Sequence, residues 1–190
     1  MRTTKIEWTD KTWNPITGCT KKSAGCAHCY AEVMTRRLKA MHLDKYKNGF
    51  ELTLHKDELE NPLKWKGMHN IFVCSMSDIF HESVPFDFID KIIEIVSKTP
   101  QHRYQILTKR AERMAEYFKD KTIPTNIWLG VTVECKDTKS RIDILRYLKA
   151  SVKFLSCEPL LEDLEDLNLM GIDWVIVGGE SGPNARPMKE

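Results

Sequence analysis

With 190 residues, of which 42% are apolar and 29% charged, the chain has the composition of a soluble globular protein and the length for one full core, so a single domain over 1–190 is expected. No run reaches the roughly 18 apolar residues of a membrane span. The amino terminus MRTTKIEWTDKTWNP has no apolar signal core, which predicts a cytoplasmic protein with reduced thiols and no membrane partner. The net charge is +2; residues 21–66 hold ten Lys or Arg against six Asp or Glu, a modest excess that reads as a solvated helix face.

In chain order, a strand is expected before the cysteine-rich stretch GCTKKSAGCAHCYA (18–31), and another at ELTLH (51–55). Five apolar runs that each end in polar residues follow: NIFVCSMSD (70–78), RYQILTKR (103–110), IWLGVTVE (127–134), VKFLSCE (152–158) and DWVIVGGE (173–180). Between them FDFIDKIIEIVSK, AERMAEYF and DTKSRIDILRYLK carry helical periodicity, the first stopping at Pro100. Near-continuous apolar strands alternating with helices predict an α/β fold with a parallel sheet. About seven strands in 190 residues fall short of an eight-unit barrel of about 250, so a partial TIM-like barrel is expected, with the carboxyl terminus truncated before a last covering helix and an open flank after Gly182.

Sites in such folds gather at the carboxyl ends of the strands. That places Ser75, Asp78, Thr108, Lys109, Thr132, Glu134, Ser156, Glu158 and Glu180 around one mouth, with the cysteine loop on the same rim. Cys19, Cys26 and Cys29 form C-x6-C-x2-C, an odd count that suits neither a disulfide framework nor a four-ligand zinc site. Thiolates are soft ligands, and a tight loop can wrap the faces of an iron cluster; three ligands on four irons leave one iron open. The alternative is zinc completed by His28 or a distant cysteine, although His28 lies inside C-x2-C, where its ring can scarcely reach the metal held by both neighbours. Cys74, Cys135 and Cys157 are expected to be packing residues, Cys135 the more exposed, and Trp13 is the one tryptophan expected near the mouth.

The segments WNPITGCTKKSAGCAHCYAE, SMSDIFHESVP, ILTKR, GVTVE, CEPLL and VIVGGESGPNARP together resemble the phage Gp37/Gp68 family, a radical S-adenosylmethionine-like group, over essentially the whole chain. More distantly, their order is similar to the spore photoproduct lyase branch of radical enzymes. The resemblance implies a radical-SAM-like fold, a 4Fe-4S cluster on Cys19, Cys26 and Cys29, and S-adenosylmethionine on the open iron as source of a 5'-deoxyadenosyl radical. It also suggests His28 against the adenine, Lys109 on the cofactor carboxylate, and Ser75, Ser77 and Asp78 on the ribose or amino group. Two features depart from the pattern: the usual spacing is C-x3-C-x2-C, three residues shorter, and the GGE stretch lies late, at 178–180. A nucleic-acid or nucleotide substrate and a partner protein are the implied partners. A second hypothesis is a non-catalytic, metal-stapled binding module for a protein or nucleic acid.

Overall fold

The computed structural model describes residue 4, residues 6–182 and residues 184–188. In chain order the strands are β1 Lys11–Trp13, β2 Ile16–Thr17, β3 Thr53–Leu54, β4 Asn70–Val73, β5 Arg103–Thr108, β6 Ile127–Thr132, β7 Val152–Cys157 and β8 Trp174–Val177. The helices are α1 Tyr30–Ala40, α2 Phe86–Lys98, α3 Ala111–Phe118 and α4 Ser140–Tyr147. Six strands form one parallel sheet in the order β1-β4-β5-β6-β7-β8, as an α/β chain with a helix in each of its first four crossovers should. The strand expected at ELTLH exists but is not part of that sheet: β3 pairs antiparallel with β2, and the two form a separate clip beside the cysteine loop. The link from β7 to β8 contains no α-helix. Among the described residues no helix is long and apolar enough to cross a membrane.

Register sorts the side chains into two faces. Ile71, Tyr104 and Ile127 are partners across the strands, as are Val73, Ile106 and Leu129, and Thr108, Val131, Leu155 and Val175. These rows face the helices and make the main core with Ile89, Ile92 and Val96 of α2, Met114 and Phe118 of α3, and Ile142 and Leu145 of α4. The apolar positions of α2 fall on one stripe, which is why that segment is a helix and which side of it is buried. Its end is set locally, where Thr99 turns its hydroxyl back to the Ile95 carbonyl at 2.7 Å and Pro100 follows.

The opposite face carries Phe72, Gln105 and Trp128 in one row, then Leu107, Gly130, Phe154 and Trp174 in the next. Four strand spacings separate β4 from β8, roughly 19 Å in a flat sheet. Yet Trp8 lies 4.7 Å from the Phe72 ring and 6.1 Å from that of Trp174, and touches Phe154 as well. The sheet is therefore curled around Trp8, and the aromatic cluster closes the amino-terminal end of the enclosed space. Gly130 is where two surfaces meet, since a Cβ there would sit 2.4 Å from the Phe154 ring. Trp13 departs from expectation. It is 1% exposed, packs edge-on to Tyr104 and donates its indole N–H to the Glu58 carbonyl at 2.8 Å, so it is a core residue and not a mouth residue.

Replacing Trp8 with Ala removes the ring that β4 and β8 both close upon. Urea denaturation of Trp8→Ala is expected to show a loss of about 3 kcal/mol, a value near zero being incompatible with this packing.

Candidate functional site

The loop from Gly18 to Tyr30 crosses the carboxyl end of the curled sheet and is pinned along its length by groups from the strand ends. Gly18 begins it with φ of 78°, its N–H donating to the Met76 carbonyl at 3.0 Å and its carbonyl accepting from Ser77 Oγ at 2.6 Å. A Cβ at this position would lie 2.2 Å from the Glu51 carbonyl oxygen, so glycine is required. The same clip holds the next residue, with Cys19 N–H donating to the Phe50 carbonyl at 3.2 Å.

Thr20 is held by Arg110, which follows β5 and is only 3% exposed. Its Nη2 donates to the Thr20 carbonyl at 3.2 Å and hydroxyl at 3.1 Å, its Nη1 to Asp78 at 3.2 Å and towards Cys19 Sγ at 3.7 Å, and its Nε to Glu82 at 2.8 Å. Asp78 is itself saturated: the Thr108 hydroxyl lies 2.8 Å from both carboxylate oxygens, and the N–H groups of Phe80 and Lys109 donate at 2.9 and 3.2 Å. Burial opposes the charge on Arg110, but Asp78 and Glu82 outweigh it and keep the guanidinium protonated. Burial likewise pushes the Cys19 thiol up to about 11 despite the neighbouring Arg110, so a metal at this sulfur would have to displace a proton.

The middle of the loop rests on Glu134, a fully buried carboxylate after β6. One oxygen accepts from the Ser23 hydroxyl; the other accepts from Arg141 Nη1 at 2.9 Å, and Arg141 also donates to the Thr132 carbonyl at 2.7 Å. Gly25 lies directly on this carboxylate, where a Cβ would be 3.0 Å from Oε1. The far end is clasped from beyond β8. Glu180 accepts from Arg186 Nε at 3.0 Å and pairs with His28 Nδ1 at 2.8 Å, while Arg186 Nη2 donates to the Ala24 carbonyl at 3.1 Å. Tyr30, the first residue of α1, turns its hydroxyl inward onto the Ser75 carbonyl.

These contacts hold the enlarged C-x6-C segment along its length: Thr20, Ser23 and Gly25 meet Arg110 or Glu134 beside the ends of β5 and β6, and Ala24 meets Arg186 beyond β8. Sequence reasoning placed Glu134 and Glu180 at the mouth but missed Arg110, Arg141 and Arg186, the arginines that secure the loop. The second cation directly after the strand end, in LTKR, was the available signal for Arg110. All six cysteines are free thiols; Cys74 and Cys157 are buried and Cys135 is half-buried. Cys19, Cys26 and Cys29 are partly exposed on the rim. Among the described residues, no three His, Cys, Asp or Glu side chains converge closely enough to hold a single metal ion. A mononuclear zinc site is thus not preformed, whereas an iron cluster takes its thiolates on separate irons and keeps them apart.

The expected site residues divide into two groups. Ser77 and Asp78 are occupied in fixing the loop, and Asp78 with Thr108 sits on the helix side of the sheet, not in the enclosed space, because Thr108 shares the row of Val131 and Leu155. Lys109 is half-buried and its ammonium has no partner among the described residues; Ser75 bonds only Asn14 Oδ1 through its hydroxyl, at 3.2 Å. His28 is on the loop, with one ring nitrogen taken by Glu180. Thr132 and Ser156 face the enclosed space as partners in register. Beside them Glu158 is half-buried, its carboxyl raised first by burial and then by Glu7, with the Ser156 hydroxyl 3.5 Å away opposing the shift.

A family described as "Protein of unknown function (DUF5131)" matches residues 3–190. No curated protein matches the chain significantly. Among solved structures, the chain is similar to a spore photoproduct lyase double mutant with bound AdoMet and dinucleoside spore photoproduct, with a TM-score of 0.60 and 11% identity over 86% of this chain and 54% of that one. It is also similar to a single mutant of spore photoproduct lyase, with a TM-score of 0.52 and 13% identity over 81% of this chain and 47% of that one. At such identity the likeness concerns the fold, and the chain spans about half the length of either structure.

Two outcomes follow from the loop anchors. Glu134→Gln leaves the buried Arg141 without its counter-charge, and urea denaturation should show a loss of about 3 kcal/mol together with faster amide exchange over residues 20–27; unchanged exchange there would dissociate Glu134 from the loop. Glu180 is held at about 2, mainly by Arg186. Because its folded value lies below its unfolded one, the clasp contributes stability above about pH 4.5 and loses it as pH falls towards 2. Amide exchange at residues 24–28 should therefore stay protected at pH 4.5 and rise below pH 3 in the native chain, but be fast at both in Glu180→Gln.

Proposed function

The chain belongs to that family of unknown function, and we propose that within it the protein acts as a radical S-adenosylmethionine enzyme of the kind its phage Gp37/Gp68 resemblance implies. The observation that carries this reading is the set of three free thiols, Cys19, Cys26 and Cys29, on a loop secured from four strand ends of a curled parallel sheet. Their chemistry fits a 4Fe-4S cluster: three soft thiol donors free of any disulfide. A cluster with bound S-adenosylmethionine supplies, on one-electron reduction, a 5'-deoxyadenosyl radical that abstracts hydrogen from a substrate.

The protein's own residues would then have the following tasks. Cys19, Cys26 and Cys29 hold the cluster. Lys109, a cation just after β5 with no partner among the described residues, suits the carboxylate of the cofactor, and the Ser75 hydroxyl suits its ribose or amino group. His28, oriented by Glu180, offers its ring face to the adenine. Ser77 and Asp78 act one layer back, by fixing Gly18 and Arg110. Glu158, whose carboxyl is raised by burial, is the acid beside Thr132 and Ser156 at the rim of the enclosed space and suits proton transfer there. A nucleotide or nucleic-acid substrate is supported by the fold's likeness to an enzyme structure that contains a dinucleoside.

Anaerobic reconstitution tests the reading. The native chain should take up iron and sulfide in equal amounts and, with a reductant and S-adenosylmethionine, release 5'-deoxyadenosine. Serine at position 19, 26 or 29 should abolish iron uptake, whereas Cys74→Ser, Cys135→Ser and Cys157→Ser should retain it, with at most about 1–3 kcal/mol of lost stability. Uptake of zinc and never iron would replace the enzyme with a metal-stapled binding module.

A further inference from the structure

We propose that the outer face of α1 is the docking surface for an acidic, one-electron carrier protein; this rests on the reading above, which requires an electron from outside the chain. Of the 11 residues of α1, only Ala31 and Thr35 are buried. The other side presents Tyr30, Val33, Met34 and Arg37, at the i, i+3, i+4, i+7 spacing of one helical face, with Val33 44% and Met34 41% exposed. Met41, 65% exposed, extends this stripe beyond the helix end. The stripe forms one wall of a groove of about 390 Å³, with Ser181, Gly182 and Asn184 on the other wall and Cys29 at its end. A continuous apolar strip of this kind, beside a reactive loop, marks an interaction surface and not an unremarkable exposed side chain.

Charge identifies the occupant. Lys21, Arg36 and Arg37 border the strip, and against them stands Glu32, which pairs with both Lys21 and Arg36. Arg37 has no acidic partner among the described residues. A second copy of the chain would bring two such basic faces together, which disfavours self-association through it. Single-stranded nucleic acid would use aromatic platforms, whereas this strip is aliphatic apart from Tyr30. An acidic protein with an apolar centre fits both properties, and a small, charge-steered contact suits a partner that must leave after each transfer. The position fits too, because α1 begins at the residue after Cys29, so a protein seated in the groove sits beside the thiol rim. In the transfer the carrier loses one electron and the cluster gains one; no atom moves between them.

The test uses reconstituted native protein and two variants, Val33→Asp with Met34→Asp, and Arg36→Glu with Arg37→Glu, with reduced flavodoxin as the probe and dithionite as a small reductant that needs no docking. Cluster bleaching is followed by stopped flow, alongside iron content. All three proteins should carry equal iron and be reduced equally by dithionite, while reduction by flavodoxin should be about tenfold slower in each variant and, in the native protein, should slow with added salt. Equal flavodoxin rates in native and variant proteins overturn the assignment while leaving the enzyme reading intact. Failure of dithionite to reduce any cluster overturns both. Dimerisation that the substitutions abolish would assign the face to a second copy, and tighter binding of single-stranded oligothymidylate than of flavodoxin would assign it to nucleic acid; either overturns the proposal.

Discussion

A guanidinium removed from water must find an acceptor for each of its five N–H bonds, and Arg110 finds them on four residues of the chain: Glu82, Asp78, Cys19 and, twice, Thr20. This requirement joins the end of β4, the end of β5 and the start of the cysteine loop into one unit. Asp78 is the counter-charge, and its remaining capacity is filled by Thr108 and two backbone N–H groups. Removing either partner would leave an uncompensated buried charge, so the arrangement is self-enforcing. The loop's geometry is consequently a property of the sheet and not of the loop's own residues.

The same device recurs along the loop. Glu134 with Arg141, and Glu180 with Arg186, are each an ion pair in which one member also binds the loop. A buried ion pair contributes little net stability over an apolar packing of equal volume, but it is intolerant of misplacement. Two such pairs, Arg110 with Asp78 and Glu134 with Arg141, together with the half-exposed pair of Arg186 and Glu180, fix position more than they add stability. This is how the longer spacing is held: Thr20, Ser23, Ala24 and Gly25 each meet a carboxylate or guanidinium.

The curl of the sheet matters equally. The Phe154 ring covers Gly130, and Trp8 fills the space between β4 and β8, closing one end of the interior with aromatic surface and leaving the other end to Thr132, Ser156, Glu158 and the cysteine loop. An enclosed space with an apolar floor and a polar, thiol-bearing rim is suited to chemistry from which water must be excluded. The outer face of α1 does not take part in this enclosure, which is why its apolar residues remain exposed.

The strands β4 to β8, their parallel arrangement and the helices α2 to α4 were legible in the sequence, the strands because runs such as NIFV and WVIV are apolar on both faces, which a sheet covered on both sides requires. The cysteine trio and the rim of polar strand ends were legible for a similar reason: residue type and spacing alone state them. What pairs with what was not. Strand alternation ends with the strand, so it could not show that Asp78 and Thr108 turn to the helix side, that Trp13 is buried against Tyr104, or that β3 leaves the main sheet to pair with β2. The arginines were invisible as a set because their partners are 91, 7 and 162 residues away in the chain, and a surface arginine and a buried one are the same letter. The sequence by itself determined the elements and the chemistry available at the rim; the tertiary structure alone decided which charges are buried together, because that depends on distances set by the curl of the sheet.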